Sequence, residues 1–569
     1  MKNYNHLITD VLVIGSGGAG MRAAISAHDD GANVMILSKG RLGVSGSTVT
    51  ACADVSVDSN SITKLLGFNG DAEDSKEQFA ADTIKSGWGL NHKGLVDVFV
   101  DQAPQRVKEL IDWGAKVENF AISPGHTYRR AIIIKGNNFA HTLARQVRLR
   151  PAIQVLEGVI ALDIIVKDGC ATGVYAVNIM NGEFTTISAK SIIIATGGAM
   201  NVFPVTTAPN DLMGDGMAMA YRAGAKMVDM EFQTFLMGCC SPPSLVGNNY
   251  PFVLMCRAGA HLYNREGERF MEKWDPERRE KSTRDKIAVA STLEILEGRG
   301  GRNGGVWVSV RHIPKNLFEY YTEWYEGKKT GFDEKDFLPD LMQDGIESMP
   351  SAHFWNGGIK IDTDCSTDIE GLFAAGECAG GIHGANRLSG NAMSEILVTG
   401  NIAGRSAART AASAQVTALS KEEEYAYYKK LEDMFCGNGS EDPVALKKQL
   451  QKTAWETIGP VREQKELERA IRVCDEVENK IPHLCCHVGR VYNKEWIDAM
   501  SLANMCDIIR ITAAAAAHRK ESRSSHYRKD YNKPDDSMFC NITAEKSNGQ
   551  LKMSNCSVST RKVQGVQQI

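Results

Sequence analysis

The glycines at 15, 17, 18 and 20, with Ala19 among them, have the spacing in this chain that most directly implies chemistry. Gly15-Ser16-Gly17-Gly18-Ala19-Gly20 follows a short apolar, β-branched run, Asp10–Ile14. It leads into a segment with helical apolar spacing at Met21, Ala24, Ile25 and Ala27. In a strand–turn–helix setting the first glycine permits the tight turn. The second lets backbone approach a pyrophosphate, and the last lets the helix pack on the strand. Amide groups opening the helix then face phosphate charge. The next strand, Asn33–Leu37, ends in Ser38-Lys39, where an acid usually meets the ribose hydroxyls. A hydroxyl is a poorer acceptor than a carboxylate, so this stretch alone leaves the nucleotide open.

Further small or polar groups recur where strands end. Arg41–Ser56 is rich in Gly, Ser and Thr, and Gly46, Ser47 and Thr48 supply small residues where backbone must run beside a bulky ligand. Ala195-Thr196-Gly197-Gly198 closes the buried strand Ala189–Ile194, at the carboxyl end where open α/β sheets bind ligands. Gly214-Asp215-Gly216 opens a helix to Ala223. Gly376-Glu377 follows the strand Leu372–Ala375, and His383–Asn391 leads into a long helix to about Ala412. Gly125–Arg130 is a polar loop with three potential cations. The 14 cysteines include the adjacent pairs Cys239-Cys240 and Cys485-Cys486 but no CxxC and no zinc or iron–sulfur spacing. They read as ordinary thiols and no metal is expected, with a redox role for Cys239-Cys240 left open.

These groups are spread through 569 residues, enough for about three domains. The fold class expected is α/β: a Rossmann-like dinucleotide-binding domain with an inserted α+β capping domain, then a C-terminal helical domain. The boundaries read as 1–235 and 351–412 for the two parts of the first domain, 236–350 for the cap, 413–525 for the helical domain and 526–569 for the tail. Asn181-Gly182 predicts a hairpin turn between Tyr175–Met180 and Glu183–Ile187. The charged run Arg269–Lys286 reads as a solvated helical face. A formal net charge of -4 with mixed signs argues against a nucleic-acid surface. No leader is read at Met1, and no apolar run approaches the ~18–20 residues of a membrane span. A cytoplasmic chain follows, touching a membrane only through a partner.

In order, the Gly15–Gly20 turn, Ser38-Lys39, Gly46–Thr48, Ala195–Gly198, Gly214–Gly216, Gly376-Glu377, His383–Asn391 and Glu521–Tyr527 resemble one family. It is that of the fumarate reductase and succinate dehydrogenase flavoprotein subunits, with L-aspartate oxidase and adenylylsulfate reductase as relatives. The resemblance implies FAD, with Ser38-Lys39 then an ordinary variant of the family. It places Asp215 at the adenosine ribose, Glu377 at the ribityl chain, and the helix start near Ser389–Asn391 at the flavin pyrimidine. Where membrane-complex relatives carry a FAD-linked histidine in Ser-His-Thr, this chain has Gly46-Ser47-Thr48, which implies non-covalent FAD.

The resemblance also implies catalytic roles. Arg284, in Ser282–Lys286, matches the arginine that protonates the substrate carbon. His353 and Arg387 match a carboxylate clamp, and Arg257 matches the arginine of a proton relay. The residues that hold a second carboxylate are replaced by Leu236 and about Val253, and the relay glutamate by Leu254. Burying an unpaired carboxylate in such a wall is costly. The expected substrate is therefore a small carboxylate with one anionic end. The expected reaction is hydride transfer between flavin N5 and an activated C=C or CH–CH bond, with an iron–sulfur partner supplying electrons. Sulfur chemistry of the adenylylsulfate reductase type, an ordinary fumarate reductase or succinate dehydrogenase subunit, and an electron-transfer subunit without its own substrate stay open as alternatives.

Overall fold

A computed structural model describes residues 4–51, 54–241, 243–318, 346–417, 420–435, 439–487 and 489–558, with Arg257 described by its backbone alone. Its centre is a seven-stranded sheet. Asn5–Ile14 pairs in parallel with Val34–Ser38 on one side and Phe184–Ile194 on the other, and Val34–Ser38 pairs in parallel with Gln154–Glu157. The far edge of Phe184–Ile194 is shared. Its first half pairs antiparallel with Cys170–Asn178, and its last residues pair in parallel with Leu372–Ala374. Val159–Lys167 completes the sheet. Val11–Ile14, Val34–Leu37 and Ile192–Ile194 are buried on both faces, which is why these segments run apolar without alternation. The hairpin at Asn181-Gly182 is present, with Gly182 at φ +74°.

Two helices cover one face. Gly18–Asp29 follows the glycine turn, and Asn391–Ser413 packs along it. Their approach is set by glycine: a Cβ on Gly400 would meet Ala19 O at 2.6 Å, and one on Gly404 would meet Ala23 O at 2.2 Å. Helices Lys76–Ser86 and Lys93–Asp112 pack against each other.

A separate four-stranded antiparallel sheet lies above the carboxyl ends of the central strands. Its order is Gln233–Cys239, Ile346–Trp355, Val306–Ser309, His261–Tyr263, and it carries its own apolar core. Helix Arg284–Leu296 packs against its first two strands. The run Arg269–Lys286 is not a helical face. It breaks into a turn at Met271–Trp274, Asp275-Pro276 and a short 3-10 turn at Arg279–Lys281, and Glu280 is buried against Arg269 and Leu262 N–H.

The chain ends in helices Lys421–Asp433, Pro443–Ile458, Gln464–Lys480 and Lys494–His518, followed by a hairpin, Cys540–Ser547 with Gln550–Ser557. The hairpin returns to the first domain through Met227–Val228. The basic segment after Arg519 is interior: Arg519 pairs with Glu231 (2.7 Å) and Glu521 (3.0 Å), and Arg528 pairs with Asp530. Among the described residues no helix is long and apolar enough to cross a membrane, no His/Cys/Asp/Glu group could hold a metal, and no disulfide forms.

Candidate active site

One cavity of about 390 Å³ runs from the glycine turn, past the carboxyl ends of the central strands, to the underside of the capping sheet. Its first part is built by close backbone approach. Gly15 has φ +110°, and a Cβ there would meet Ala195 O at 2.3 Å, so the turn cannot carry a side chain. A Cβ on Gly20 would meet Gly15 O at 2.0 Å; Gly20 seats the helix and does not line the cavity. Helix Gly18–Asp29 therefore points its open amides at the cavity, and Gly18 N–H donates to Thr48 Oγ1 (3.0 Å).

Gly15, Gly17, Gly18, Ala19, Ser38, Lys39, Gly46, Ser47, Thr48, Ala195, Thr196, Gly197, Asp215, Glu377 and Ser389 all line this cavity, although the sequence scatters them over more than 370 positions. Ser38 and Ser16 hydroxyls lie 2.5 Å apart at the end of the second strand. Lys39 Nζ pairs with Asp215 Oδ2 (3.1 Å), and Asn504 donates to Asp215 Oδ1 (2.7 Å). Thr196 Oγ1 and Glu395 Oε1 are buried without a protein partner, and both residues line the cavity. A phosphate-facing helix start, hydroxyls, a carboxylate held by lysine and orphaned acceptors suit a bound dinucleotide. Like Gly20, Asn391 does not line the cavity: it is buried behind the wall and donates to Thr83 Oγ1 (3.0 Å). The helix it begins still aims its positive end at the cavity through Gly390, at φ +80°.

Glu377 accepts from Trp355 N–H (3.1 Å), and a Cβ on Gly198 would meet its Oε1 at 2.3 Å. Burial pushes its carboxyl up to about 7.

At the other end the cavity meets the cap, and Arg284, His353 and Arg387 converge there. Arg387 Nη2 is 3.4 Å from His353 Nε2, and its guanidinium lies 4.4 Å from the Phe354 ring centre. His353 Nδ1 is 2.7 Å from Thr207 Oγ1. Since an arginine nitrogen only donates, Nε2 accepts and the proton sits on Nδ1, which donates to Thr207. Arg284 Nη2 donates to Ser389 Oγ (3.1 Å), beside Phe252. Arg284 is the first residue of its helix, so its charge opposes the positive helix end. Burial holds Arg284 below the usual arginine range, and burial followed by repulsion from Arg284 lowers Arg387 to about 10.

The opposite wall is partly as expected. Leu236 and Val253 line the cavity, beside Asn249, Phe252 and Cys256. Leu254 does not: it is fully buried in the capping core. The chain winds as a π turn over Leu254–Ala258, which sends Leu254 away from the cavity and leaves Val253 and Cys256 on it. Arg257 belongs to this turn, and its side chain lies outside the described residues. Sequence reasoning missed Thr207 and Asp54. Asp54 also lines the cavity, and its Oδ2 accepts from Ser123 Oγ (2.6 Å).

The cations of Gly125–Arg130 have structural partners. Arg130 is buried between Asp74 and Asp82, and His126 Nε2 donates to Ser389 O (2.7 Å), fixing the residue that holds Arg284. The pair Cys239-Cys240 sits off the cavity, and burial pushes the Cys240 thiol up, opposite to a reactive thiolate.

Known proteins share this architecture. Residues 10–393 match the model of the FAD binding domain, and residues 447–568 match that of the fumarate reductase flavoprotein C-terminal domain. The chain is 36% identical over 545 residues to a fumarate reductase (CoM/CoB) subunit of Methanothermobacter marburgensis, covering 92% of this chain and 94% of that one. It is 30% identical to L-aspartate oxidase of Yersinia pestis, covering 93% and 97%. Among solved structures, Mycobacterium smegmatis Sdh1 in complex with UQ1 superposes with a TM-score of 0.88 at 28% identity, covering 98% of this chain and 95% of that one.

Proposed function

Because the chain belongs to the fumarate reductase and succinate dehydrogenase flavoprotein family and is an FAD-dependent oxidoreductase, we propose that it reduces, or in reverse forms, an activated carbon–carbon double bond in a small carboxylate. The observation that carries this reading is the convergence of Arg284, Arg387 and His353 on the cavity that also holds the glycine cradle.

When bound, FAD supplies hydride at N5. Gly15–Ala19, Ser38, Lys39, Thr48 and Asp215 would hold its phosphates and adenosine, and Glu377 its ribityl chain. Ser47, where relatives carry the linked histidine, leaves the attachment non-covalent.

Arg387 holds the substrate carboxylate, and His353, whose Nε2 accepts from Arg387, orients the guanidinium toward it. The guanidinium supplies two parallel N–H donors, and Phe354 keeps its plane fixed. Arg284 delivers a proton to the carbon opposite hydride transfer. An arginine with an ordinary pKa above ~12 is a poor acid. Here burial and the helix end weaken its hold on the proton, and Ser389 orients it. Leu236, Val253 and Phe252 exclude water from the far side. No carboxylate-binding pair stands there among the described residues, so a substrate with one anionic end is favoured over fumarate. Reducing equivalents enter through a separate iron–sulfur protein, as the family resemblance implies.

The test is anaerobic reoxidation of dithionite-reduced enzyme by acrylate, crotonate, cinnamate, fumarate and adenylylsulfate. Fast reoxidation by a monocarboxylic enoate, and slow reoxidation by fumarate, is the expected result. Preference for fumarate would make this an ordinary fumarate reductase subunit. Reoxidation by adenylylsulfate alone would replace carbon chemistry with sulfur chemistry.

A further inference from the structure

The cavity end that holds the two arginines also contains a carboxylate with no part in the clamp or the cofactor cradle. Asp54 lines the cavity with Arg284 and Arg387. It begins the strand Asp54–Ser56, which pairs with Ala131–Ile133 and lies against the segment carrying the Arg284 partner. Ser56 Oγ donates to Ser389 O (3.2 Å), and a Cβ on Gly390 would come within 3.4 Å of Asp54 Cβ. The carboxylate is therefore fixed one residue from Ser389, whose hydroxyl accepts from Arg284. Its Oδ2 is oriented by Ser123 Oγ (2.6 Å), and Ser123 is itself buried. Asp54 is among the anionic groups whose fields reach both guanidiniums.

We propose that Asp54 fixes the charge this site accepts, admitting a substrate with one carboxylate and turning away a second. The inference rests on the clamp reading of Arg387 and His353 given above and deepens it. Asp54 offsets part of the positive charge of Arg284 and Arg387, as Glu377 and Glu395 do at Arg387, and among the described residues the remaining positive charge suits one substrate carboxylate. A second substrate carboxylate would enter the field of Asp54. It would also find Leu236 and Val253 where a pairing group is needed. In a partly desolvated cavity like charges within a few ångströms repel strongly, enough for a preference of about tenfold or more. The remainder of the substrate is then neutral.

The experiment uses the FAD-loaded enzyme and reads binding from the change in flavin absorbance on titration with crotonate and with fumarate. It compares the unaltered chain with Asp54→Asn, Asp54→Glu and Arg387→Gln. Asp54→Asn keeps an acceptor for Ser123 and removes only the charge; Asp54→Ser replaces it if the asparagine variant fails to retain FAD. The unaltered chain should bind crotonate more tightly than fumarate. Asp54→Asn should narrow that ratio by about tenfold, mainly by tightening fumarate, and Asp54→Glu should leave the crotonate preference in place. A ratio unchanged in FAD-loaded Asp54→Asn, or fumarate bound more tightly than crotonate by the unaltered chain, overturns the proposal. Arg387→Gln separates the two readings. If it retains both ligands, the clamp itself is wrong; if it loses both while Asp54→Asn leaves the ratio unchanged, only the role of Asp54 falls.

Discussion

Thr207 Oγ1 lies 2.7 Å from His353 Nδ1, and this contact decides which nitrogen of His353 is left for Arg387. Thr207 itself is anchored, its N–H donating to Ala352 O (2.9 Å), so the hydroxyl is held in place by the strand that carries the histidine. Replacing Thr207 by Val keeps the shape and removes the acceptor. One such hydrogen bond is worth about 1 kcal/mol, so KM for the carboxylate substrate should rise about 5–10-fold. FAD content should stay constant. Steady-state kinetics on the FAD-loaded variant checks this, and an unchanged KM would mean that the tautomer is set by something else.

Arg284→Ala should abolish turnover of the organic acceptor while leaving dithionite reduction of the flavin intact. Loss of a positioned acid costs about 10²–10⁴-fold in kcat. Lysine should not restore it, because its point charge cannot reproduce the planar fork that reaches Ser389. Stopped-flow reoxidation separates the two half-reactions. An equal loss in both would show a collapsed site instead of a missing acid.

Asp215→Ala should weaken FAD binding. It leaves Lys39 and Asn504 without their partner and removes an acceptor from the cavity wall. The expected loss is about 10–100-fold in affinity. Flavin fluorescence released on dilution measures it, and full retention of FAD would exclude Asp215 from the cofactor site.

The Glu377 carboxyl, pushed up to about 7 by burial, links stability to pH. Between its unfolded value near 4.5 and about 7 the folded protein keeps a proton that the unfolded chain has lost. Its contribution is therefore full at low pH, falls as pH rises through that window and is flat above it. Glu377→Gln should remove this slope, so that its Tm exceeds that of the unaltered FAD-free protein more at pH 8 than at pH 5. A pH-independent difference in Tm would contradict the shift.

Arg130→Met should destabilise the protein by about 3–5 kcal/mol, since it strands Asp74 and Asp82 in the interior without a cation. Denaturant unfolding reads the loss. A change below ~1 kcal/mol would mean that water reaches the pair.

Features with a local cause were legible in the residues themselves. The turn at Gly15–Gly20 needs positive φ and bare backbone, and no other residue type meets that need. The strand Val34–Ser38, the hairpin at Asn181-Gly182 and the helix starts at Asp215 and Asn391 were likewise legible from periodicity and from glycine at their ends. The rest waited on the folded chain, because those contacts join segments that no periodicity connects. Thr207 meets His353 across 146 residues, and Arg284 meets Ser389 across 105. Asp54 faces the arginines only because its strand pairs beside the segment that starts the long helix. Leu254, read as standing where relatives carry a relay glutamate, lies in the capping core, because the wide turn at Leu254–Ala258 rotates it there. Position along the chain fixes which groups are available, and the angle at which each turn leaves its helix or strand fixes which of them face the substrate.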